Sequence, residues 1–334
     1  MKDGVARSTG ASGLLAQIDE LFGDELQSVE QIFADELKSW HPFVNDVLGH
    51  MTRFRGKRLR PILLLLSAKA CGSVTHDHLV LSAVVEMIHT ATLVHDDVLD
   101  DAEIRRHVAT INSRWNNETS VLLGDYLFTH AFHLASGLES TLACRLIGRS
   151  TNIVCEGELA QIHERGNHAL SETQYLEIIE GKTAELCAVC CQLGAHFADA
   201  GEVITASLRE YGRCLGIAFQ IADDLLDVLG NEDETGKSLG SDLKKEKLTL
   251  PLIRLLEQSP PDDAAVIRRL LADPSEQSRV RLQKYVAQSD AIEYAFARAN
   301  EFALAARQQL AGVPDSAAKR LLEEITEFAT QRTW

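Results

Sequence analysis

Apolar residues recur along most of this chain at the three- and four-residue spacing of an amphipathic helix, and period-two alternation is almost absent. Leu14 to Leu48 predicts two amphipathic helices parted near His41-Pro42. Pro61 opens an apolar helix, Ile62–Ala70, which Gly72 closes. Thr75-His76-Asp77 can cap a long helix from about Leu79 to Asp101. Ile104–Asn117 is polar and predicts a loop. Helices follow over Thr119–Ser136, Thr141–His163, Ser171–Ala200 and Thr205–Leu229. Gly230–Lys247 lacks periodicity and predicts a loop of about eighteen residues, a length that inside a compact domain points to function. Two or three helices are expected between Leu250 and Phe328, with turns at Ser259–Asp263 and Gly312–Asp315. No Pro/Gly/Ser-rich linker divides the chain. The expectation is an all-α protein, one large domain of about 10–13 helices over residues 14–334 behind a flexible 1–13.

Composition changes this picture little. The 334 residues are 45 % hydrophobic and 25 % charged, enough for a large core. The net charge of −16 argues against nucleic acid as a partner. The seven cysteines lie in apolar helical stretches, and Cys187, Cys190 and Cys191 fit helix spacing rather than a zinc or redox motif. Buried free thiols imply a reducing, cytoplasmic setting. The N-terminus carries no signal-like segment, and the longest apolar stretch, Pro61–Ala68, is too short to span a bilayer.

The chemistry is concentrated in one internal echo. His95-Asp96-Asp97-Val98-Leu99-Asp100-Asp101 and Gln220-Ile221-Ala222-Asp223-Asp224-Leu225-Leu226-Asp227 share an Asp-Asp-x-x-Asp pattern. On a helix, the first and last aspartates stack on one face. Like charges at that spacing repel, and the C-terminal end of a helix disfavours them further. Both costs call for a cation. Mg²⁺ suits such a site because it takes one or two carboxylates and completes its octahedron with water and phosphate oxygens. Basic residues stand nearby: Lys57 and Arg60 beside a helix start, Arg105 and Arg106, Lys182 with Thr183, then Lys237 and Lys247. In so acidic a chain they describe a second, directly bound diphosphate.

The run of Gly56-Lys57-Arg58-Leu59-Arg60-Pro61, the two aspartate motifs, Leu122-Leu123-Gly124-Asp125-Tyr126-Leu127, Gly181-Lys182-Thr183-Ala184 and Gly236–Pro251 resembles the trans-isoprenyl diphosphate synthase (polyprenyl synthetase) family over nearly the whole chain. The resemblance implies helices stacked around a central cavity (the isoprenoid synthase fold), usually in a homodimer. It implies a prenyltransferase that adds isopentenyl diphosphate to an allylic diphosphate (farnesyl, geranyl or dimethylallyl), with about three Mg²⁺ ions per loaded site. Carried over, Asp96, Asp100 and Asp223 are the main Mg²⁺ ligands, supported by Asp97, Asp224 and Asp227, the last also a metal contact. Lys57, Arg60, His89 and Arg106 would hold isopentenyl diphosphate. Arg105, Lys182, Thr183, Gln220, Lys237 and Lys247 would face the allylic diphosphate. The family commonly has Gly after the arginine pair, where this chain has His107, and a basic residue where it has Ser241.

Family members with short products carry an aromatic four or five residues before the first aspartate. Here Thr92 and Ala91 are small, with Ile88 one turn deeper and Phe128 and Phe132 as candidate floor. A medium- to long-chain product, of the kind used in quinone side chains, is expected. The alternatives are a geranylgeranyl or farnesyl diphosphate synthase, a class I terpene cyclase, an HD-type phosphohydrolase using His89, His95 and Asp96, and a silent subunit of a heteromeric synthase.

Overall fold

The computed structural model describes residues 11–54, 56, 58–229, 245–273 and 275–330. Helix α1 (Ala11–Glu36) begins inside the segment expected to be flexible, and α2 (Pro42–Met51) starts on a proline, which fits a first turn that needs no N–H. Helix α3 (Leu59–Cys71) starts two residues before Pro61, with Arg58 at its N-cap in a left-handed conformation, φ +52°. Helix α4 (His76–Leu99) is capped at Thr75, whose N–H donates to His78 Nδ1 at 3.0 Å.

The polar stretch after α4 is more ordered than a loop. Ile104–Arg105 (β1) pairs antiparallel with Val108–Ala109 (β2), and Arg106 and His107 turn the hairpin with φ +50° and +64°. Two consecutive left-handed residues make the tight turn whose twist matches a hairpin. The family's usual glycine would reach this conformation without cost. His107 does so at a cost of about 1 kcal/mol. A short helix, α5 (Ile111–Arg114), then leads to α6 (Asn117–Ser136) and α7 (Thr141–His163).

The single helix expected over Ser171–Ala200 is α8 (Glu172–Ile179), a π-helical turn (Glu180–Ala184) and α9 (Glu185–Phe197). Helix α10 (Gly201–Leu229) follows. Residues 230–244 of the predicted loop lie outside the described residues. The C-terminal region holds more helices than expected: α11 (Leu250–Gln258), α12 (Pro261–Leu271), α13 (Glu276–Ala287), α14 (Ala291–Gln309) and α15 (Ala317–Thr330). Pro260 and Pro261 part α11 from α12, since a proline opens a helix but does not continue one.

Helix α9 packs on both α4 and α10, so the helices bearing the two aspartate motifs flank it. Glycines make this possible: a Cβ on Gly212 would lie 2.5 Å from the Cys187 carbonyl oxygen, and one on Gly216 2.5 Å from Ala184 Cα. Cys187, Cys190 and Cys191 are buried and free, and burial raises all three thiols, as a packing role for them predicts. Helix α4, rather than Pro61–Ala68, is long and apolar enough by composition to cross a membrane. Yet 67 % of its apolar window is buried among other helices.

Candidate active site

Asp96 lies in the last turn of α4, and the Asp100 N–H donates to the Asp96 carbonyl at 2.9 Å, so the helical turn carries on to the cap. Asp97 points elsewhere. It is 1 % exposed, and its Oδ1 accepts Nε and Nη2 of Arg105, both at 2.8 Å. Asp100 is ringed by Lys245 at 2.8 Å, Lys247 at 3.3 Å and Arg165 at 3.4 Å. Although burial opposes it, the Lys245 hydrogen bond and the charge of Lys247 hold the Asp100 carboxyl below its usual range.

Asp96 is the contrasting member. Burial pushes its carboxyl up to about 6; Lys182 draws it down, while Glu158 and Asp100 add to the rise. Its cation, the Lys182 ammonium, is 3.9 Å away and is shared with Glu158 and with Gln161 Oε1 at 2.9 Å. Burial alone would make Lys182 easier to deprotonate, but Asp96 and Glu158 outweigh it and keep the ammonium charged.

The second motif repeats the layout on α10. Asp224 is 5 % exposed and accepts the Tyr175 hydroxyl and the Gln220 amide, each at 2.7 Å, while Asp223 and Asp227 are half-buried. In both motifs the first and last aspartates are partly exposed and the second is buried. The π-helical turn joins the motifs. Lys182 reaches toward Asp96, and the Thr183 hydroxyl donates to Gln220 Oε1 at 2.8 Å. That wide turn is pinned at both ends to α10 by Glu180–Arg213 and Glu185–Arg209 ion pairs, both 2.7 Å.

Among the described residues, no three His, Cys, Asp or Glu side chains converge as a preformed metal cage. Each motif instead offers one or two oxygen ligands of the hard type, and the buried Asp96–Glu158–Asp100 negative charge fits Mg²⁺ completed by substrate phosphate.

The basic residues divide. Lys57 and Lys237 lie outside the described residues. Arg60 buries an Nε without a hydrogen-bond partner, the state expected of a group kept for an anion. Arg106 donates to the Phe54 carbonyl at 2.6 Å and lies over Gly56, where a Cβ would sit 2.5 Å from its Nη1. His89 is half-buried; burial, then the charges of Arg60, Arg106, Arg105 and Arg58, keep it neutral well below its usual range. Arg105, expected to face the allylic diphosphate, is held by Asp97, and Lys247 by Asp100.

Sequence reasoning missed Glu158, Gln161, Arg165, Tyr175 and Lys245. Only Glu158 and Gln161 carried a signal, two polar residues one helical turn apart on the apolar face of α7. His95 is engaged with α6: its Nε2 contacts the Val121 carbonyl at 3.0 Å, and the ring fills the space over Gly124. A His89–His95–Asp96 phosphohydrolase centre would have to draw on a histidine packed there. Of the proposed chain-length residues, Ile88 and Ala91 are fully buried, Thr92 is half-buried with its hydroxyl on the His89 carbonyl at 2.8 Å, and Phe128 and Phe132 are half-buried on α6. Gly148 of α7 faces Phe132.

Comparison with known proteins gives the site its family. The polyprenyl synthetase family model matches residues 41–288. The octaprenyl diphosphate synthase of Haemophilus influenzae is 33 % identical over 319 residues, 95 % of this chain and 97 % of its own. The crystal structure of a decaprenyl diphosphate synthase from Rhodobacter capsulatus superposes with a TM-score of 0.91 at 33 % identity, covering 95 % of this chain and 99 % of that one. A polyprenyl synthase from Caulobacter crescentus CB15, complexed with calcium and isoprenyl diphosphate, superposes with a TM-score of 0.90 at 33 % identity, covering 98 % and 99 %. The chain therefore belongs to the polyprenyl synthetase family of prenyltransferases, with the all-α isoprenoid synthase fold.

Proposed function

We propose that this protein is a Mg²⁺-dependent synthase that extends an allylic diphosphate with isopentenyl diphosphate to a medium- or long-chain all-trans polyprenyl diphosphate. The observation that carries this is the bridge between the motifs, with Lys182 at Asp96 and Thr183 on Gln220 beside Asp223. One leaving group can be held from both sides there. Asp96, Asp100, Asp223 and Asp227 would hold Mg²⁺, which when bound supplies Lewis-acid neutralisation of the departing diphosphate. Lys182 and Thr183 orient that diphosphate, and Gln220 fixes the Thr183 hydroxyl. Arg60, His89 and Arg106, with Lys57, form the cradle for isopentenyl diphosphate, whose alkene attacks the allylic cation. The expelled diphosphate, the strongest nearby acceptor, takes the proton lost.

Long relatives and the small Thr92 and Ala91 favour a product beyond twenty carbons, serving quinone side chains, made by a homodimer in the cytoplasm. Incubation with farnesyl diphosphate, labelled isopentenyl diphosphate and Mg²⁺ should yield a ladder of longer diphosphates that EDTA abolishes. A product ending at twenty carbons would make it a short-chain synthase. Labelled hydrocarbon would mean cyclisation, free phosphate alone hydrolysis, and no turnover a need for a second subunit. Ala91→Phe and Thr92→Phe should each shorten the product by at least one five-carbon unit, about 6 Å of helix having been blocked. Unchanged chromatograms for both would remove the tunnel assignment.

A further inference from the structure

Arg58 stands between Lys57 and Arg60, where another phosphate-binding cation would be expected. Its guanidinium is committed elsewhere. Nε and Nη2 donate to Glu30 of α1 at 2.5 and 3.1 Å, and Nη1 donates to Glu86 of α4 at 2.6 Å. The planar fork thus ties two helices to the N-cap of α3, with a bidentate grip on Glu30 that a lysine ammonium does not reproduce. The two carboxylates differ in setting. The Glu30 side chain is 40 % exposed and borders a cleft of 420 Å³ between α1 and the start of α3, whereas Glu86 is 7 % exposed with a buried, unpartnered Oε2.

Glu86 also lies one turn before His89 on α4, beneath the arginine cluster. It acts on Arg106 through its charge as well as on Arg58 by contact. Buried guanidinium groups repel one another, and without a fixed counter-charge they spread apart or draw in solvent ions. Nothing about Glu86 or Glu30 suits them to touch a diphosphate. Both are anions.

We infer that Glu86 and Glu30 are positioning residues for isopentenyl diphosphate, acting through Arg58 to fix the first turn of α3, which carries Arg60. This rests on the assignment of Arg60 to isopentenyl diphosphate made above. It gives α1 a role in substrate affinity, since Glu30 is the anchor of the latch on that helix. The buried arm holds the start of α3 and the solvent-facing arm tightens it, so the two should weaken binding unequally.

The test is steady-state kinetics of the full-length, Mg²⁺-loaded enzyme, with each substrate varied separately. Glu86→Gln and Arg58→Lys should raise KM for isopentenyl diphosphate about tenfold and Glu30→Gln about threefold. KM for farnesyl diphosphate and kcat should stay within about twofold. A purely structural role would raise both KM values together and lower kcat. That result, or an isopentenyl diphosphate KM within twofold of wild type in Glu30→Gln and Glu86→Gln, overturns the latch. If Glu86→Gln fails to fold, the half-exposed Glu30→Gln decides alone. Wild type that incorporates no isopentenyl diphosphate defeats the assigned function instead, and wild type that elongates beside unaffected variants defeats only the latch.

Discussion

The two aspartate motifs have the same spelling and are held by different chemistry. On α4 the inward aspartate, Asp97, is anchored by a guanidinium, and its neighbour Asp100 collects Lys245, Lys247 and Arg165. On α10 the equivalent Asp224 is anchored by a phenol and an amide. Burial raises the Asp97 carboxyl and the Arg105 guanidinium only partly draws it back down, so the charged anchor fixes the side chain in place at a net cost to its charge. The Tyr175 phenol and the Gln220 amide can each serve a carboxylate or a carboxamide at position 224. The motifs therefore share a layout, two partly exposed outer aspartates and one buried inner strut, rather than a set of contacts.

The largest expected difference lies in the struts. Asp97→Asn removes a buried charge pair and should destabilise the protein by about 2–3 kcal/mol, discounted because Arg105 keeps some water. Asp224→Asn keeps a carbonyl for Tyr175 or Gln220 and should cost less than about 1 kcal/mol. Urea denaturation of both variants measures this, and equal losses would break the comparison. A second contrast concerns protons. The Asp96 carboxyl, at about 6 when folded, lies above the unfolded value of about 3.9, so the metal-free folded protein binds the extra proton in that window. The Asp96 contribution to stability should fall as pH rises from about 4 to 6, by on the order of 2 kcal/mol, against the opposite slope of Asp100 and the other carboxylates held low. The difference between wild type and Asp96→Asn on denaturation in EDTA at both ends isolates it. A slope unchanged in Asp96→Asn would assign the effect to another group.

What was legible in the sequence follows from what is periodic. The long helices, the paired motifs and the basic loop all announce themselves through spacing or charge. The wide turn at Glu180–Ala184 did not, because α9 is apolar and buried on nearly every side, leaving no single face whose shift by one residue would show. Nor did the struts: Tyr175 and Arg105 reach their aspartates across the fold, over 49 and 8 residues. His107 was visible as a departure, and its φ of +64° supplies the reason. His107→Gly should change stability least, by less than about 1 kcal/mol and in the stabilising direction, since the relief of strain is partly offset by a more flexible unfolded chain. A loss larger than that in thermal melts would mean that the His107 side chain makes contacts outweighing its backbone strain.

The central claim is that both motifs grip one diphosphate. Calorimetric titration with a non-ionisable thio-analogue of farnesyl diphosphate, with and without Mg²⁺, tests it in wild type, Asp96→Ala and Asp223→Ala. The account predicts Mg²⁺-dependent binding in wild type and at least a hundredfold weaker binding in each variant, roughly the worth of one lost oxyanion-type contact in a site sheltered from water. Binding in either variant that matches wild type would contradict it.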